Sequence, residues 1–379
     1  MTILHIHDRV GSYGGGEVYV AHLREGLLAR GLQVPVLYLV GDRAPHLAEP
    51  DHYYAPKPHG LWSGFRIKQW LGPLLDRVRP DVVHCHTLFS PAGMAWLCAR
   101  VPTVFTLHSL HMLPRTYGPE PMTLLGLYDR LLRRVMRFAL TRVAMWVAPS
   151  EAFAQEIRGE GYDRVVVVPH FTEKRPVGPS DSSDDRTILF VGRLSEEKGV
   201  EPLLETLTLL REDSWNAVIV GAGPCGAAMQ ARVTREGLAS RVRFTGWLSG
   251  AELDRLYRAA TVVVVPSIVK EAFGLAGIEA LAFGKPVVGF DAGGVREWLI
   301  EGRTGFLVPQ HDCRGLADRL RQVLNDPALA HRMGTEGRRL VDERFRLAPY
   351  VAQILSVYES VTARGKAAPG LARTYAYRN

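Results

Sequence analysis

Two doubly wound α/β domains in tandem are what this sequence predicts, each a parallel sheet covered by helices on both faces. Three observations lead there. The chain has 379 residues, too many for one ordinary core. Short runs rich in β-branched residues alternate with stretches of helical period from end to end. The alternation occurs twice, and its halves are parted by TEKRPVGPSDSSDDR, residues 172–186, a run of Pro, Ser and charge without apolar period. The expected organisation is an N-terminal domain over 1–172, a linker over 173–186 and a C-terminal domain over 187–345. A last helix over 346–364 crosses back to the first domain, and a weakly ordered tail fills 365–379.

In the first half the strand candidates are TILHIH, VPVLYLV, DVVHCHT, TVFTLH, MWVAPS and VVVVP. EVYVAHLREGLLARG and EAFAQEIRGEG lie between strands and have helical period. In the second half the strands are TILFVG, NAVIVG, RVRFTG, TVVVVP, KPVVGF and GFLVP, separated by helices such as GVEPLLETLTLLRE and GAELDRLYRAA. DCRGLADRLRQVLND and APYVAQILSVYESVTARG read as helices after the last strand. Open α/β sheets bind ligands beyond the C-terminal ends of their strands, so a ligand is expected in a cleft between two such sheets.

Composition narrows the partners. No apolar run reaches the roughly 18–20 residues that span a bilayer. The start, MTILHIHDRVGSYGGGE, lacks the features of a signal peptide. Cys85, Cys98, Cys225 and Cys313 are scattered, which argues against a disulfide framework or a Cys-based zinc site and for a reducing cytoplasm. The net charge of +7 favours anionic partners: nucleotides, phosphates, acidic lipids or nucleic acid. Residues 1–180 hold 20 Lys/Arg against 15 Asp/Glu, and the remainder 26 against 24, so most of the excess lies in the first half.

Four strand-end motifs carry candidate chemistry. RVGSYGGGEVYVAHL places Gly11, Gly14, Gly15 and Gly16 before a helix, where backbone can approach a phosphate; a plain tight turn explains it equally well. FVGRLSEEKGV sets Arg193 and Lys198 past a strand, two cations for a diphosphate or a basic loop in solvent. VIVGAGPCGAAM satisfies G-x-G-x-x-G at Gly221, Gly223 and Gly226. It belongs to the second strand–helix unit of its domain, and no carboxylate follows at the end of the next strand, so a nicotinamide site is disfavoured. The fourth runs from Val265 to Pro309. Glu271 precedes a helix expected over Phe273–Phe283, and Glu279 lies inside it. Amides around Phe273, Gly274 and Leu275 are expected to be free for phosphate, and a carboxylate suits sugar hydroxyls.

The stretch KEAFGLAGIEALAFGKPVVGFDAGG, with TGFLVP downstream, resembles the E-x7-E signature of the retaining glycosyltransferases of family 4, which have the two-domain GT-B fold. GGGE, DVVHCHT, TVFTLH, VGRLSEEKG, VGAGP and FTGWLS occur in that family's order, so the resemblance covers most of the chain. It implies that Arg193 and Lys198 meet the donor diphosphate, Glu279 the ribose and Glu271 the transferred sugar. Gly274 and Leu275 would hold phosphates, Gly15 and Gly16 close over the diphosphate, and His108 lie near the sugar. Gly223 would line the nucleotide side. No D-x-D occurs, so protein cations are expected to replace the metal, and no cofactor is expected.

The activity so implied is metal-independent, retaining transfer of a hexosyl unit from a nucleotide-diphosphate sugar. The acceptor is a sugar, a lipid-linked sugar or a small molecule, in cell-envelope or exopolysaccharide assembly, with no nucleic-acid partner. The alternatives are an NAD(P)-dependent oxidoreductase using GAGPCG and a GT-B phosphorylase or synthase.

His5/His7 and His84/His86 share H-x-H spacing on strands, so each pair faces one side. A metal would need a third ligand that the sequence does not reveal, so structural or cleft-lining roles are expected. DRLLRRVMRFALTR, residues 129–142, is a basic amphipathic helix. It is either an ordinary solvated face or a peripheral contact with the anionic inner face of the cytoplasmic membrane.

Overall fold

The computed structural model describes residues 1–8, 15–39, 51–55, 63–113, 124–176 and 186–364. Gly11, Gly14, most of the expected linker (177–185) and the tail lie outside them. The chain divides into two compact units. One comprises residues 1–168 with the last helix, and the other Pro169–Arg346.

The first unit carries seven parallel strands: β1 (Ile3–His7), β2 (Val36–Leu39), β3 (His52–Ala55), β4 (Val82–Cys85), β5 (Thr103–Thr106), β6 (Met145–Ala148) and β7 (Val165–Val167). Their order is β3-β2-β1-β4-β5-β6-β7, so the winding reverses between β1 and β4. The strands are apolar because both faces are covered: every residue of β1, β4 and β5 is buried. The helices are α1 (Gly15–Leu28), α2 (Ser63–Val78), α3 (Pro91–Cys98), α4 (Leu124–Leu140) and α5 (Glu151–Gly159). Ser150 caps α5 by accepting the Phe153 amide at 3.3 Å. The sequence reading missed β3. It is a four-residue edge strand of half-buried aromatics, so it lacks the apolar run that marks its neighbours.

The second unit carries β8 (Thr187–Val191), β9 (Asn216–Val220), β10 (Val242–Gly246), β11 (Val262–Val265), β12 (Val287–Phe290) and β13 (Gly305–Val308), ordered β10-β9-β8-β11-β12-β13. This is the doubly wound order, with its switch point between β8 and β11. Its helices are α6 (Val200–Leu209), α7 (Gly226–Arg235), α8 (Gly250–Ala259), α9 (Leu275–Ala282), α10 (Cys313–Asn325) and α11 (Pro327–Arg344). The sequence reading also missed α11, which holds two interior glycines of poor helix propensity. Packing demands them: a Cβ on Gly334 would stand 1.8 Å from the Gly284 carbonyl oxygen. The last helix, α12 (Leu347–Arg364), packs on α1 in the first unit, where Gly26 makes room for Val351.

The two doubly wound α/β domains expected from the sequence are thus both present. No helix among the described residues is long and apolar enough to cross a membrane.

Candidate active site

The chemistry of the second unit collects at the switch point of its sheet. The loop after β8 presents Arg193 and Lys198, and the loop after β11 presents Glu271. Three contacts pin these loops together. Gly199 takes φ 71°, and a Cβ there would stand 1.7 Å from the Pro266 carbonyl oxygen, so only glycine lets the chain turn so close. The Ile268 amide donates to the Glu197 carbonyl at 3.1 Å. The Lys198 Nζ then meets Glu271 Oε1 at 2.6 Å.

Glu271 is nearly buried, at 9% exposure. Its Oε1 also accepts from Ser267 Oγ at 2.5 Å. Its backbone is held on the other side, where the Gly294 amide donates to the Glu271 carbonyl at 2.9 Å and the Glu271 amide to Ala292 at 3.2 Å. A buried carboxylate fixed from three sides has a defined orientation toward a ligand. Arg193 is exposed, and no hydrogen bond or ion pair holds its guanidinium among the described residues. It is a cation without an internal counter-charge beside the same switch point.

The turn between the two carboxylates is set by tryptophan and glycine. Trp298 is fully buried and its indole N–H donates to the Phe273 carbonyl at 2.5 Å. Gly274 takes φ 86°, a left-handed conformation that ends the extended segment and opens α9 at Leu275. The helix therefore begins two residues later than the sequence pattern implied, because its apolar period runs back through Phe273 but the backbone does not. The Trp298 ring lies against Gly277, where a Cβ would come within 2.0 Å of it.

Glu279 stands about 6 Å along the axis from Leu275. It is half-buried, and Tyr257 donates its hydroxyl proton to Oε2 at 3.0 Å. Burial raises the carboxyl above its ordinary value, the Lys174 charge and the Tyr257 hydrogen bond offset this in part, and Asp254 adds to the rise. Lys174 itself is paired with Asp254 at 2.5 Å.

The G-x-G-x-x-G look-alike has a packing explanation. A Cβ on Gly221 would stand 1.8 Å from the Gly192 carbonyl oxygen, and one on Gly223 would stand 2.4 Å from that of Leu194. The Leu194 amide donates to Ala222 at 3.0 Å, and the Cys225 amide to Leu194 at 2.9 Å. These glycines let the turn after β9 lie against the loop bearing Arg193, with no dinucleotide needed to account for them.

In the first unit the switch point lies between β1 and β4, and it holds a histidine cluster. The register sets His5 beside His84, so the two H-x-H pairs face one side of the sheet. His5 Nδ1 lies 2.9 Å from His86 Nε2, and His86 Nδ1 lies 3.0 Å from His108 Nε2. His84 is bound at both nitrogens, to the Tyr358 hydroxyl at 2.6 Å and to Thr106 Oγ1 at 2.7 Å. Tyr19 on α1 hydrogen-bonds Tyr350 on α12. Burial holds His5 down at about 3 and His84 and His86 well below the ordinary value, so these rings are neutral at pH 7.

His5, His84 and His86 bring three ring nitrogens within 4.8 Å of one another. The third metal-capable ligand that the sequence did not reveal is therefore present in space, supplied by pairing of β1 with β4. Among the described residues, this is the group that could hold a metal ion. Gly15 and Gly16 form the first turn of α1, directly after β1 in this unit.

The structure thus gathers Lys198, Glu271, Phe273, Gly274, Leu275 and Glu279 in one region of the second unit, with Arg193 and Gly223 on adjoining turns. His108, Gly15 and Gly16 belong to the first unit. Ser267 belongs to the Pro–Ser step before Glu271 that the family resemblance includes, though no role was given to it. Tyr257, Trp298 and Lys174 were not singled out from sequence; each acts on a residue that was, across 22 to 105 positions, and no local pattern reports such a partner.

Two Rossmann-like parallel-sheet units are the architecture of the GT-B class of glycosyltransferases. The structure is similar to sucrose-phosphate synthase from Thermosynechococcus elongatus, with a TM-score of 0.77 at 24% identity over 96% of this chain and 99% of that one. It is also similar to Anabaena HepE, solved in complex with UDP and glucose, with a TM-score of 0.72 at 21% identity over 94% and 99%. Residues 13–173 match the family described as Glycosyltransferase Family 4, and residues 172–340 that described as Glycosyl transferases group 1. In sequence the chain is 29% identical to the phosphatidyl-myo-inositol mannosyltransferase of Mycobacterium leprae, over 93% of this chain and 94% of that one. It is 26% identical to the O-antigen chain mannosyltransferase C of Escherichia coli, over 95% and 99%. The chain belongs to the family 4 glycosyltransferases of the GT-B fold.

Proposed function

We propose that this glycosyltransferase moves a hexosyl unit from a nucleotide-diphosphate sugar, with retention of configuration and without a metal, onto a sugar or lipid-linked sugar. The observation that carries the reading is the Lys198–Glu271 pair at 2.6 Å, with Arg193, which has no ion pair among the described residues, on the same loop as Lys198. A leaving diphosphate develops negative charge, and two protein cations and the amides at Gly274 and Leu275 can meet it. Glu271 takes the hydroxyls of the transferred sugar, and Glu279 takes the ribose. Gly223 lines the wall of the donor site, whereas the Phe273 side chain, expected from the sequence to bind the donor, is buried in the core of its unit and offers a ligand only its backbone. Gly15, Gly16 and His108 belong to the first unit, and their proposed roles toward the diphosphate and the sugar rest on the family resemblance alone. The departing phosphate oxygen accepts the acceptor's proton, so no dedicated base is needed. The mannosyltransferase names of two relatives and the UDP and glucose bound to HepE support a hexosyl donor and leave base and sugar to experiment. Glycan assembly at the cell envelope, from the cytoplasmic side, is the setting we infer from those relatives. An oxidoreductase reading finds no support in the packing of Gly221 and Gly223.

Helix α4 suits a peripheral contact with an anionic bilayer. Leu131 and Phe138, 53% and 60% exposed, share a face with exposed Arg134. Arg137, by contrast, pairs with Glu160 at 3.5 Å.

The test is transfer or hydrolysis of a panel of labelled donors, including GDP-mannose and UDP-glucose, in EDTA, with the product anomer read by NMR. We expect one donor to be used, with retention and no loss in EDTA. Full activity of both Glu271→Ala and Lys198→Ala would remove the proposed site.

A further inference from the structure

Glu279 belongs to a cluster whose other members come from outside α9. Tyr257 on α8 donates its hydroxyl proton to Glu279 Oε2 at 3.0 Å. Asp254 stands three residues before Tyr257, so the two share one face of α8. Asp254 Oδ1 in turn accepts from Lys174 Nζ at 2.5 Å. Lys174, Tyr257 and Asp254 are the titratable groups that act on Glu279, and the cluster sets two carboxylates against one ammonium.

The lysine is held in place from behind. It lies in the irregular segment that opens the second unit at Pro169, where no helix or strand fixes the backbone. Buried Arg346 supplies the support. Its Nη1 donates to the Thr172 carbonyl at 3.1 Å and to the Lys174 carbonyl at 2.8 Å, and its Nε donates to Asp342 Oδ1 at 2.9 Å. The Thr172 amide donates to the Phe345 carbonyl at 2.9 Å, and the Lys174 amide to Thr172 Oγ1 at 3.1 Å. Both backbone groups of Lys174 are thereby satisfied, and its side chain reaches Asp254. A partly exposed ion pair contributes little to stability, so a buried guanidinium committed to placing this lysine points to a use for the ammonium itself.

Lys174 and Asp254 act on Glu279 with opposite sign. Burial raises the Glu279 carboxyl, Lys174 lowers it, and Asp254 raises it again. A carboxylate binds hydroxyls more strongly than a neutral carboxyl does. We propose that Lys174 and Asp254 are positioning residues for the ribose contact, setting the charge with which Glu279 meets a nucleotide, with Arg346 holding the lysine in place. This rests on the assignment of Glu279 to the ribose. Removing either member of the pair breaks the same contact, so a merely structural role predicts the same change from both sides. The electrostatic role predicts opposite changes.

The experiment is calorimetric titration of the full chain with UDP and GDP across about pH 5.5–8, with inorganic pyrophosphate as the control that lacks a ribose. Carbon-13 NMR of the Glu279 carboxyl, assigned by its loss in Glu279→Gln, follows the same titration without ligand. Nucleotide affinity should fall as pH drops through the Glu279 titration. Lys174→Met should move that fall to higher pH and weaken binding roughly threefold to tenfold at about pH 6, a displacement of up to one unit. Asp254→Asn should move it to lower pH, and Lys174→Arg should restore the wild-type profile. Neither charge-removing variant should change affinity further in a Glu279→Gln background, and pyrophosphate should bind all of them alike. Displacements of the same sign in Lys174→Met and Asp254→Asn, or none, overturn the proposal, as does a full Lys174→Met effect in the Glu279→Gln background. Opposite displacements of the carboxyl with nucleotide affinity unchanged in Glu279→Gln would uphold the hold of the pair on Glu279 and overturn the ribose assignment. Should Lys174→Met not fold, Lys174→Gln takes its place in the same comparison.

Discussion

Replacing Glu279 by Gln should move stability and nucleotide affinity in opposite directions. In the folded chain its carboxyl is raised by burial, against the partial offset of Lys174 and Tyr257. A carboxyl whose folded value lies above its unfolded value binds more protons when folded. Stability then falls as pH rises from the unfolded value through the folded one. Above that window the charged side chain is a burden on the fold. Gln removes the charge, keeps the shape, and retains an oxygen for the Tyr257 hydroxyl at 3.0 Å. Glu279→Gln should therefore melt higher than wild type at pH 7, and the gain should vanish at pH 3–4, near and below the ordinary carboxylate range.

Binding should respond the other way. On the proposed ribose contact, two charge-assisted hydrogen bonds become neutral ones, each weaker by about 1 kcal/mol, so affinity for UDP or GDP should fall roughly 30-fold. Calorimetric titration of the nucleotide and of inorganic pyrophosphate separates the terms, because pyrophosphate has no ribose and should bind equally to both proteins. An unchanged nucleotide affinity would refute the ribose assignment. A lower melting temperature at pH 7 would refute the reasoning from burial.

Three further outcomes follow from the same contacts. Lys198→Met and Glu271→Gln should each lower transfer by about 10²–10³-fold, and the double variant should lose less than the product of the two; simple multiplication would mean that the 2.6 Å pair does not couple them. Gly277→Ala should cost about 1–3 kcal/mol through overpacking against Trp298 and should raise donor KM by displacing the Trp298–Phe273 hydrogen bond; chemical unfolding and steady-state kinetics report the two effects, and a neutral substitution on both counts against the Trp298 support. Leu131→Asp with Arg134→Glu should abolish sedimentation with vesicles containing acidic lipid while sparing hydrolysis of soluble donor, and equal sedimentation of the variant would sink the membrane contact.

Much of this protein was legible in its sequence, for reasons that are local. Parallel strands buried on both faces must be apolar runs, so β4 and β11 announce themselves as VVHC and VVVV. Strand β3 does not, because an edge strand needs only one covered side. The spacing of Glu271 and Glu279 was visible, and so was a helix between them, because period survives in sequence. Its true start was not, because Gly274 turns left-handed under a tryptophan ring 24 residues further on.

What the sequence alone determined was the order of elements, the doubly wound class and the residues that come to the strand ends. The tertiary structure decided which of them meet. Sheet order alone brings the loop after β8 beside the loop after β11, so only it could pair Lys198 with Glu271 across 73 residues. Pairing of β1 with β4 likewise turned two separate H-x-H motifs into one cluster. Pairing of β8 with β9 turned a tempting G-x-G-x-x-G from a cofactor motif into a steric need, since the glycines answer to carbonyl oxygens of the loop after β8. Side chains report their own preferences along the chain, whereas contact between distant loops depends on strand order, which no single segment encodes.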